Sequence, residues 1–304
     1  MKHLHIAILL PIHNGLDFTS KCIENLEDNF SHPEVNRDDF TLIVIDDGST
    51  DGSAQWIENQ YTKTVILKGD GTLWWSGGIN KGIEHALNQH ATSHILMWNN
   101  DIFIERDYLF KLYDSLNRYP ANTIIGSKIY FADNPSVIWA MGGVFNRKTG
   151  NKHPFGALQI DASEYEVPFE ADWLPGMGTL VHRNVFEKIG LMDVQNFPQY
   201  HGDSDFTLRA KLAGFKLLVL PQLRIWNDKS NSGLQHFNNF PTLLRSLYDI
   251  KSNNHIGKDI LFYHKYSTSI LAYQALLKKY FFYIGGFFKW RILNLLGIKK
   301  QQKQ

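Results

Sequence analysis

An α/β fold with a mostly parallel sheet follows from two observations. Short apolar runs recur through the first hundred positions, and a stretch with helical spacing separates each from the next. Each run also stops abruptly at a cluster of Asn, Asp, Gly or Ser. Strand alternating with helix builds right-handed βαβ units. Polar groups at the carboxyl ends of such strands lie where open α/β sheets bind ligands.

The elements justify this in order. Ile6 to Ile12 is apolar and ends in Pro11-Ile12-His13-Asn14-Gly15, a strand and its turn. Leu16 to Phe30 carries Cys22, Ile23, Leu26 and Phe30 at helical spacing. Phe40 to Ile45 is a β-branched run that stops at Asp46-Asp47-Gly48-Ser49, and a helix with Trp56 and Ile57 inside follows. Val65 to Leu67 is a third strand, ending in Lys68-Gly69-Asp70-Gly71, and Ile79, Ile83 and Leu87 mark the next helix. The fourth strand, HILMWNND, ends in Asn99-Asn100-Asp101. A carboxylate flanked by amide oxygens there suits a hard cation carrying phosphates. Any one of these polar clusters is ordinary turn chemistry; four in succession, all after strands, point to a nucleotide pocket.

The totals bound the reading. At 304 residues and 43% hydrophobic content, one large domain with an extension fits. A net charge of +1 gives no argument for nucleic acid. The single cysteine excludes a disulfide framework and points to a reducing compartment, and the short apolar start is not read as a signal peptide. The expected location is cytoplasmic. A dehydrogenase or P-loop enzyme is disfavoured, because G-x-G-x-x-G does not follow the first strand and G-x-x-x-x-G-K-[ST] is absent.

The series PIHN, VIDDGSTDGS, GDGTLWWSGGINKGI and WNND resembles a family 2 glycosyltransferase with the GT-A fold, the Rossmann-like fold of nucleotide-diphospho-sugar transferases, over roughly residues 5 to 230. The resemblance implies that the first two motifs hold the nucleoside, through Pro11, His13, Asn14, Asp46, Asp47 and Ser49. Asp46 and Asp47 are not separated by it. The third would lie along the diphosphate and donor sugar, with Asp70, Gly71, Trp75, Gly78, Asn80 and Lys81. The fourth resembles the family's D-x-D, which binds diphosphate and metal; here Asn99 and Asn100 are neutral and Asp101 is the one carboxylate. The implied cofactor is a divalent ion, Mg2+ or Mn2+, weakly held because ligand charge sets its affinity. Trp74-Trp75 resembles the rhamnosyltransferase-like branch and suggests a deoxysugar donor; core packing or a lid hinge explains the pair equally well.

After Asp101 the pattern changes. Tyr108 to Leu116 reads as a helix, Ile124 to Phe131 as a strand, Val137 to Phe145 as a hairpin or bulged strand, and 146–170 as a long loop. Asp172 to Val181 is a Gly-rich approach to a strand, where Gly176 and Met177 would let backbone come close to a sugar. Trp173 and Trp139 are candidates for stacking on acceptor rings. Gly202-Asp203-Ser204-Asp205 opens a helix containing Arg209. It resembles the family's Glu-Asp-x-Asp with the leading Glu missing. Inverting sugar transfer needs a carboxylate to take the proton from the attacking hydroxyl, and the matching residue is Asp203. Asp205 orients the loop or pairs with Arg209. Where many relatives carry a metal-binding His, this chain has Asn227 and Asp228; His236, His255 and His264 rank low as substitutes.

The expected division is a GT-A domain over 1–240, split at residue 101 into nucleotide and acceptor halves, and a helical extension over 241–304. Asp259 is the last acidic residue, and eight lysines and arginines follow it among many aromatics. That tail suits an anionic membrane interface, at the inner face of the plasma membrane, or a packed helical hairpin or dimer contact. The expected reaction is inverting transfer from a UDP- or dTDP-linked sugar to a hydroxyl of a glycan or lipid-linked acceptor. Two rivals stay open. One is a degenerate nucleotide-sugar-binding or scaffold protein, favoured by Asn99 and the missing Glu. The other is a sugar nucleotidyltransferase, disfavoured because PIHNGLDF has no Lys or Arg.

Overall fold

The first strand, β1 (Ile6–Ile12), carries no charged residue and is buried at six of its seven positions, as a strand covered on both faces must be. In this computed structural model, which describes residues 4–89, 92–231 and 239–295, β1 is followed by helix α1 (Leu16–Phe30). Strand β2 (Phe40–Asp46), helix α2 (Ser53–Gln60), strand β3 (Val65–Lys68), helix α3 (Trp74–Asn88) and strand β4 (His94–Met97) come next. β1 pairs in parallel with β2 on one side and β4 on the other, and β3 extends the sheet beyond β2. The chain therefore reverses its direction of travel between β1 and β4. A crevice opens at such a switch point, outside the carboxyl ends of the two strands.

The later part adds β5 (Ile102–Ile104), α4 (Tyr108–Arg118), β6 (Thr123–Phe131), β7 (Asn134–Ala140), β8 (Gly143–Phe145), β9 (Lys152–Pro154), β10 (Phe169–Glu170), β11 (Thr179–His182), α5 (Arg183–Ile189), α6 (Gly202–Leu212) and β12 (Lys216–Asn227). The sheet runs β10-β12-β6-β11-β4-β1-β2-β3, with β5 on β12 and β7 on β6. β11 is antiparallel to both its neighbours, so the sheet is parallel in its first half and mixed in its second. The chain reaches β11 from β6 without a crossover helix, and a strand entered that way runs antiparallel. The segment 146–170, expected as one long loop, contains β9, β10 and a turn of 3-10 helix at Ser163–Tyr165.

Two apolar layers sandwich the sheet. α1 and α4 cover one face through Ile23, Leu26, Leu109 and Leu112, and α3 covers the other through Ile79 and Ile83. α3 begins at Trp74, five residues before its expected start. Glycine disfavours helix by about 1 kcal/mol, but here two glycines let the helix sit tightly on the strands. A Cβ on Gly78 would lie 3.1 Å from Pro11 Cβ, and one on Gly82 would lie 2.9 Å from Ile45 Cδ1.

The chain divides into two units, residues 1–144 with 153–231, and residues 145–152 with 232–304. In the second, α7 (Phe240–Ser246), α8 (Ile256–Tyr266) and α9 (Ala272–Leu295) join a short turn. The Tyr263 hydroxyl donates to Gly150 O at 2.7 Å, and Phe145 lies against the Phe262 and Tyr263 rings. Asp259, buried in α8, accepts from Lys279 and from the Tyr280 hydroxyl, each at 2.5 Å. Among the described residues no helix is long and apolar enough to cross a membrane.

Two charged groups in the first unit generate predictions. Asp205 is fully buried, and Arg209 Nε donates to its Oδ2 at 3.0 Å. The same guanidinium donates to Ile189 O and Leu191 O at 2.7 Å each, tying α6 to the end of α5. Arg209→Met strands a buried charge and should lower stability by about 3–5 kcal/mol; a chemical-denaturation loss under ~1 kcal/mol would contradict it. At the amino end of β4, His94 faces His182 of β11, with ring centroids 4.8 Å apart. Burial, with the His182 charge adding to it, holds the His94 imidazole down at about 3. The unfolded chain takes up that proton near 6.5, so it binds more protons than the fold does in this window. Stability should fall as pH drops from 6.5 toward 3, by up to about 1.4 kcal/mol per pH unit. His94→Gln should flatten that limb of a urea-derived stability profile, and an unchanged slope would refute the assignment.

Candidate active site

The carboxyl ends of β1 and β2 form one continuous hydrogen-bonded edge. Asn14, in the left-handed region at φ 58°, donates its N–H to Ser49 Oγ at 2.8 Å and accepts from Thr50 N–H at 2.9 Å. Ser49 N–H donates to Asp46 Oδ1. His13 is exposed, and its Nδ1 lies 2.6 Å from Asp47 O. Pro11 packs under Gly78. Asp47 is buried, and both its carboxylate oxygens are occupied: Oδ1 accepts from Gly71 N–H at 2.8 Å and Oδ2 from Trp74 N–H at 3.1 Å. Asp47 thus builds the loop from Gly69 to Trp74. Asp46 is buried beneath the Ser49 turn.

The third motif, expected along the diphosphate and donor sugar, is tied into the fold by its own hydrogen bonds. The first N–H groups of α3 point at protein acceptors: Trp74 at Asp47, Trp75 at Gln199 Oε1, and Ser76 at Pro198 O. They are not open to phosphate as a bare helix N-terminus would be. Asn80 is turned away from the edge. Its amide donates to Met192 O at 2.9 Å and accepts from Met192 N–H at 3.0 Å, clamping the segment after α5. Gly78 is buried against β1. Asn80 and Gly78, expected to touch donor, are both engaged in packing. Asp70 and Gly71 are exposed, and the Thr72 hydroxyl and N–H, with a smaller contribution from Lys81, hold the Asp70 carboxyl below the usual range.

Trp75 joins this edge to the rest of the site. Its indole Nε1–H donates to Asn99 Oδ1 at 2.9 Å. The ring lies so close over Gly176 that a Cβ there would sit 2.1 Å from Trp75 Cη2. Gly176 N–H in turn donates to Asp203 Oδ2 at 3.1 Å, and Ser204 N–H donates to Oδ1 at 2.6 Å. Asp203 is half-buried in the first turn of α6. The position expected to carry Glu holds Gly202, and the packing explains why: a Cβ would lie 2.1 Å from Ser76 Oγ. His201, just before it, takes φ 68° to turn the chain into the helix.

The fourth motif sits beside the end of β12. Asn100 donates to Thr19 Oγ1 at 3.0 Å. Asp101 O accepts from Asp228 N–H at 2.8 Å. Burial raises the Tyr200 hydroxyl, and the Asp101 charge adds to the rise. The Ser230 hydroxyl and N–H, with Lys21, hold Asp228 below the usual carboxylate range. Asn227 Oδ1 is buried without a hydrogen-bond partner among the described residues. Burial pushes the Cys22 thiol up to about 12, which removes it as a nucleophile.

Asp101 and Asp228 stand at two adjoining strand ends, joined by the Asp228 N–H to Asp101 O bond, and are the carboxylates a divalent ion there would meet. Among the described residues no group of three or more His, Cys, Asp or Glu could hold one. This donor set fits an ion that completes its shell with phosphate oxygens and water, and not a closed protein cage. His255 caps α8, accepting from Lys258 N–H, and His236 lies outside the described residues.

Of the acceptor-side candidates, Met177 and Trp139 are half-buried against the core. Trp173 is 7% exposed, and a Cβ on Gly143 would meet its ring at 2.0 Å, so the ring packs against that glycine. Asp205 is sealed in its pair with Arg209 and does not reach the edge. Sequence reasoning missed Gln199 and Tyr200, because their partners Trp75 and Asp101 lie 124 and 99 residues away.

Comparison with known proteins agrees with this geometry. The chain is 23% identical over 238 residues to the N-acetylglucosaminyl-diphospho-decaprenol L-rhamnosyltransferase of Mycobacterium tuberculosis, covering 71% of this chain and 76% of that protein. It is 24% identical over 146 residues to the dTDP-rhamnosyl transferase RfbF of Shigella flexneri, 48% of this chain and 46% of that one. The fold matches the mannosyltransferase PcManGT of Pyrobaculum calidifontis, solved with GDP-Man and Mn2+, at a TM-score of 0.56 and 11% identity, covering 92% of this chain and 69% of that one. The GT-A architecture is common to both, and residues 7–189, more than half of the chain, match the family model: the protein belongs to glycosyl transferase family 2.

Proposed function

We propose that the protein transfers a sugar, with rhamnose or another deoxyhexose as the first candidate, from a UDP- or dTDP-linked donor to a hydroxyl of a surface glycan or lipid-linked acceptor, inverting the anomeric centre. The rhamnosyltransferases among its relatives support the donor class. One observation carries the reading: a continuous path runs from Asp203 through Gly176 and the Trp75 indole to Asn99, two residues from Asp101. It links the residue suited to activate an acceptor to the strand end suited to a diphosphate. The lone cysteine is consistent with action in the cytoplasm.

In this mechanism the β1 and β2 edge holds the nucleoside through His13, Asn14 and the turn at Ser49. Trp75 and Gly176 wall the donor sugar. Asp203 takes the proton from the acceptor hydroxyl as the new bond forms. Each of its oxygens accepts one backbone N–H, which orients the carboxylate and leaves further lone pairs for the substrate. Asp101 and Asp228 would hold the divalent ion, which when bound neutralises charge on the departing diphosphate. A second reading, donor binding without transfer, is favoured by Asn99 and Gly202 at positions where the family pattern has acids.

Asp203→Asn should lower transfer by roughly 10²- to 10⁴-fold while donor-induced thermal shifts persist. Full transfer by this variant removes Asp203 as the base, and donor shifts without transfer or hydrolysis by the unmodified protein select the second reading. Calorimetric titration with Mn2+ should show weak binding alone and at least tenfold tighter binding with UDP or dTDP present. Asp101→Asn should abolish the difference. Metal affinity independent of nucleotide would contradict a shared coordination shell.

A further inference from the structure

We propose that α9 seats the protein on an anionic lipid surface through its exposed apolar stripe. Leu277, Phe281, Ile284, Phe288, Ile292 and Leu295 recur at spacings of three and four, so they fall within about 40° of one line along the helix. Ile284 is half-buried, and the other five are between 46% (Phe288) and 87% (Leu295) exposed. The opposite side of α9 is already used. Ala272, Leu276 and Tyr280 are buried there, and Lys279 pairs with Asp259 of α8. The helix is thus apolar on two faces, one packed and one bare. A helix apolar all round is normally buried, and exposed apolar patches of this kind mark interaction sites. The stripe is widened by α7, where Phe240 is exposed and its ring centroid lies 6.3 Å from that of Phe288. Leu244 of α7 is exposed as well.

Charge selects the occupant. Lys278 and Lys289 flank the stripe on one side and Arg291 on the other, all exposed. No acidic residue follows Asp259, and Lys299, Lys300 and Lys303 follow beyond the described residues. An apolar stripe edged by cations complements acyl chains beneath anionic headgroups. A second copy of the same face would set these cations against one another. The helix is not apolar enough to span, so it lies in the plane of the interface. This surface is separate from the transfer chemistry and does not rest on it.

Co-sedimentation of the full chain with phosphatidylcholine vesicles, with and without about one-third phosphatidylglycerol, tests the proposal. The protein should pellet with the anionic vesicles only. Phe281→Glu/Phe288→Glu should lower the partition coefficient at least tenfold. Lys278→Gln/Lys289→Gln, at exposed positions that leave the fold intact, should weaken it about fivefold per cation. Donor hydrolysis in solution should be unchanged in all variants, which keeps this test apart from that of Asp203. Protein that stays in the supernatant at every lipid composition overturns the proposal. So does a dimer by light scattering that the Phe281 and Phe288 substitutions dissociate.

Discussion

The Trp75 side chain is the contact on which the site depends. Its indole N–H reaches Asn99 at the end of β4, its ring lies on Gly176, and its backbone N–H is held by Gln199. These partners lie from 24 to 124 residues along the chain from Trp75. A large ring contributes mostly through buried area, and its one polar atom needs an acceptor when it is desolvated. Asn99 provides that acceptor. An amide oxygen does so without adding a second negative charge beside Asp101. The departure from D-x-D is thus coupled to the tryptophan: the neutral residue lowers the charge of the strand end and fixes the wall of the pocket.

The same economy appears across the edge. Asp47 and Asp205 look like ligands by residue type, yet both are buried and fully engaged, one with the Gly71 and Trp74 amides and one with Arg209. The carboxylates left to the proposed chemistry are few: Asp101 and Asp228 on one side, Asp203 on the other. A site so lightly charged cannot hold a cation tightly alone, because affinity follows the number of charged ligands. In the proposed mechanism the nucleotide's own phosphates complete it. Metal and donor binding then become linked equilibria, each strengthening the other by the same factor.

How much of this was legible in the sequence depends on the range of each contact. The strands β1 to β4, the polar clusters that end them and the start of α6 follow from local periodicity and turn chemistry, and they appear where expected. The antiparallel insertion of β11 does not, because nothing local distinguishes a strand entered without a helix crossover. Asn80 and Gly78 sit inside a motif that resembles a donor-binding segment. Their actual partners, Met192 and Pro11, lie 112 and 67 positions away, and only the fold brings them together. Gly202 shows the converse. The missing Glu reads as degeneration in sequence, whereas the structure gives it a steric reason in Ser76.

Backbone strain points to the same place by an independent route. Among the described residues four non-glycines adopt positive φ, and three of them, Asn14, Trp74 and His201, border the site. Asn tolerates that region, but for a bulky residue such as Trp it is an outlier, at an order of 1–3 kcal/mol. Such a conformation persists only where surrounding bonds over-determine it. Trp74 is held by Asp47 through its N–H, and its neighbour by Gln199 and Asn99. His201 turns the chain so that Asp203 meets the Gly176 amide. Relaxing either residue would swing Trp75 or Asp203 off the shared glycine. The strain is therefore located at the two joints that set the distance between Trp75 and the proposed base.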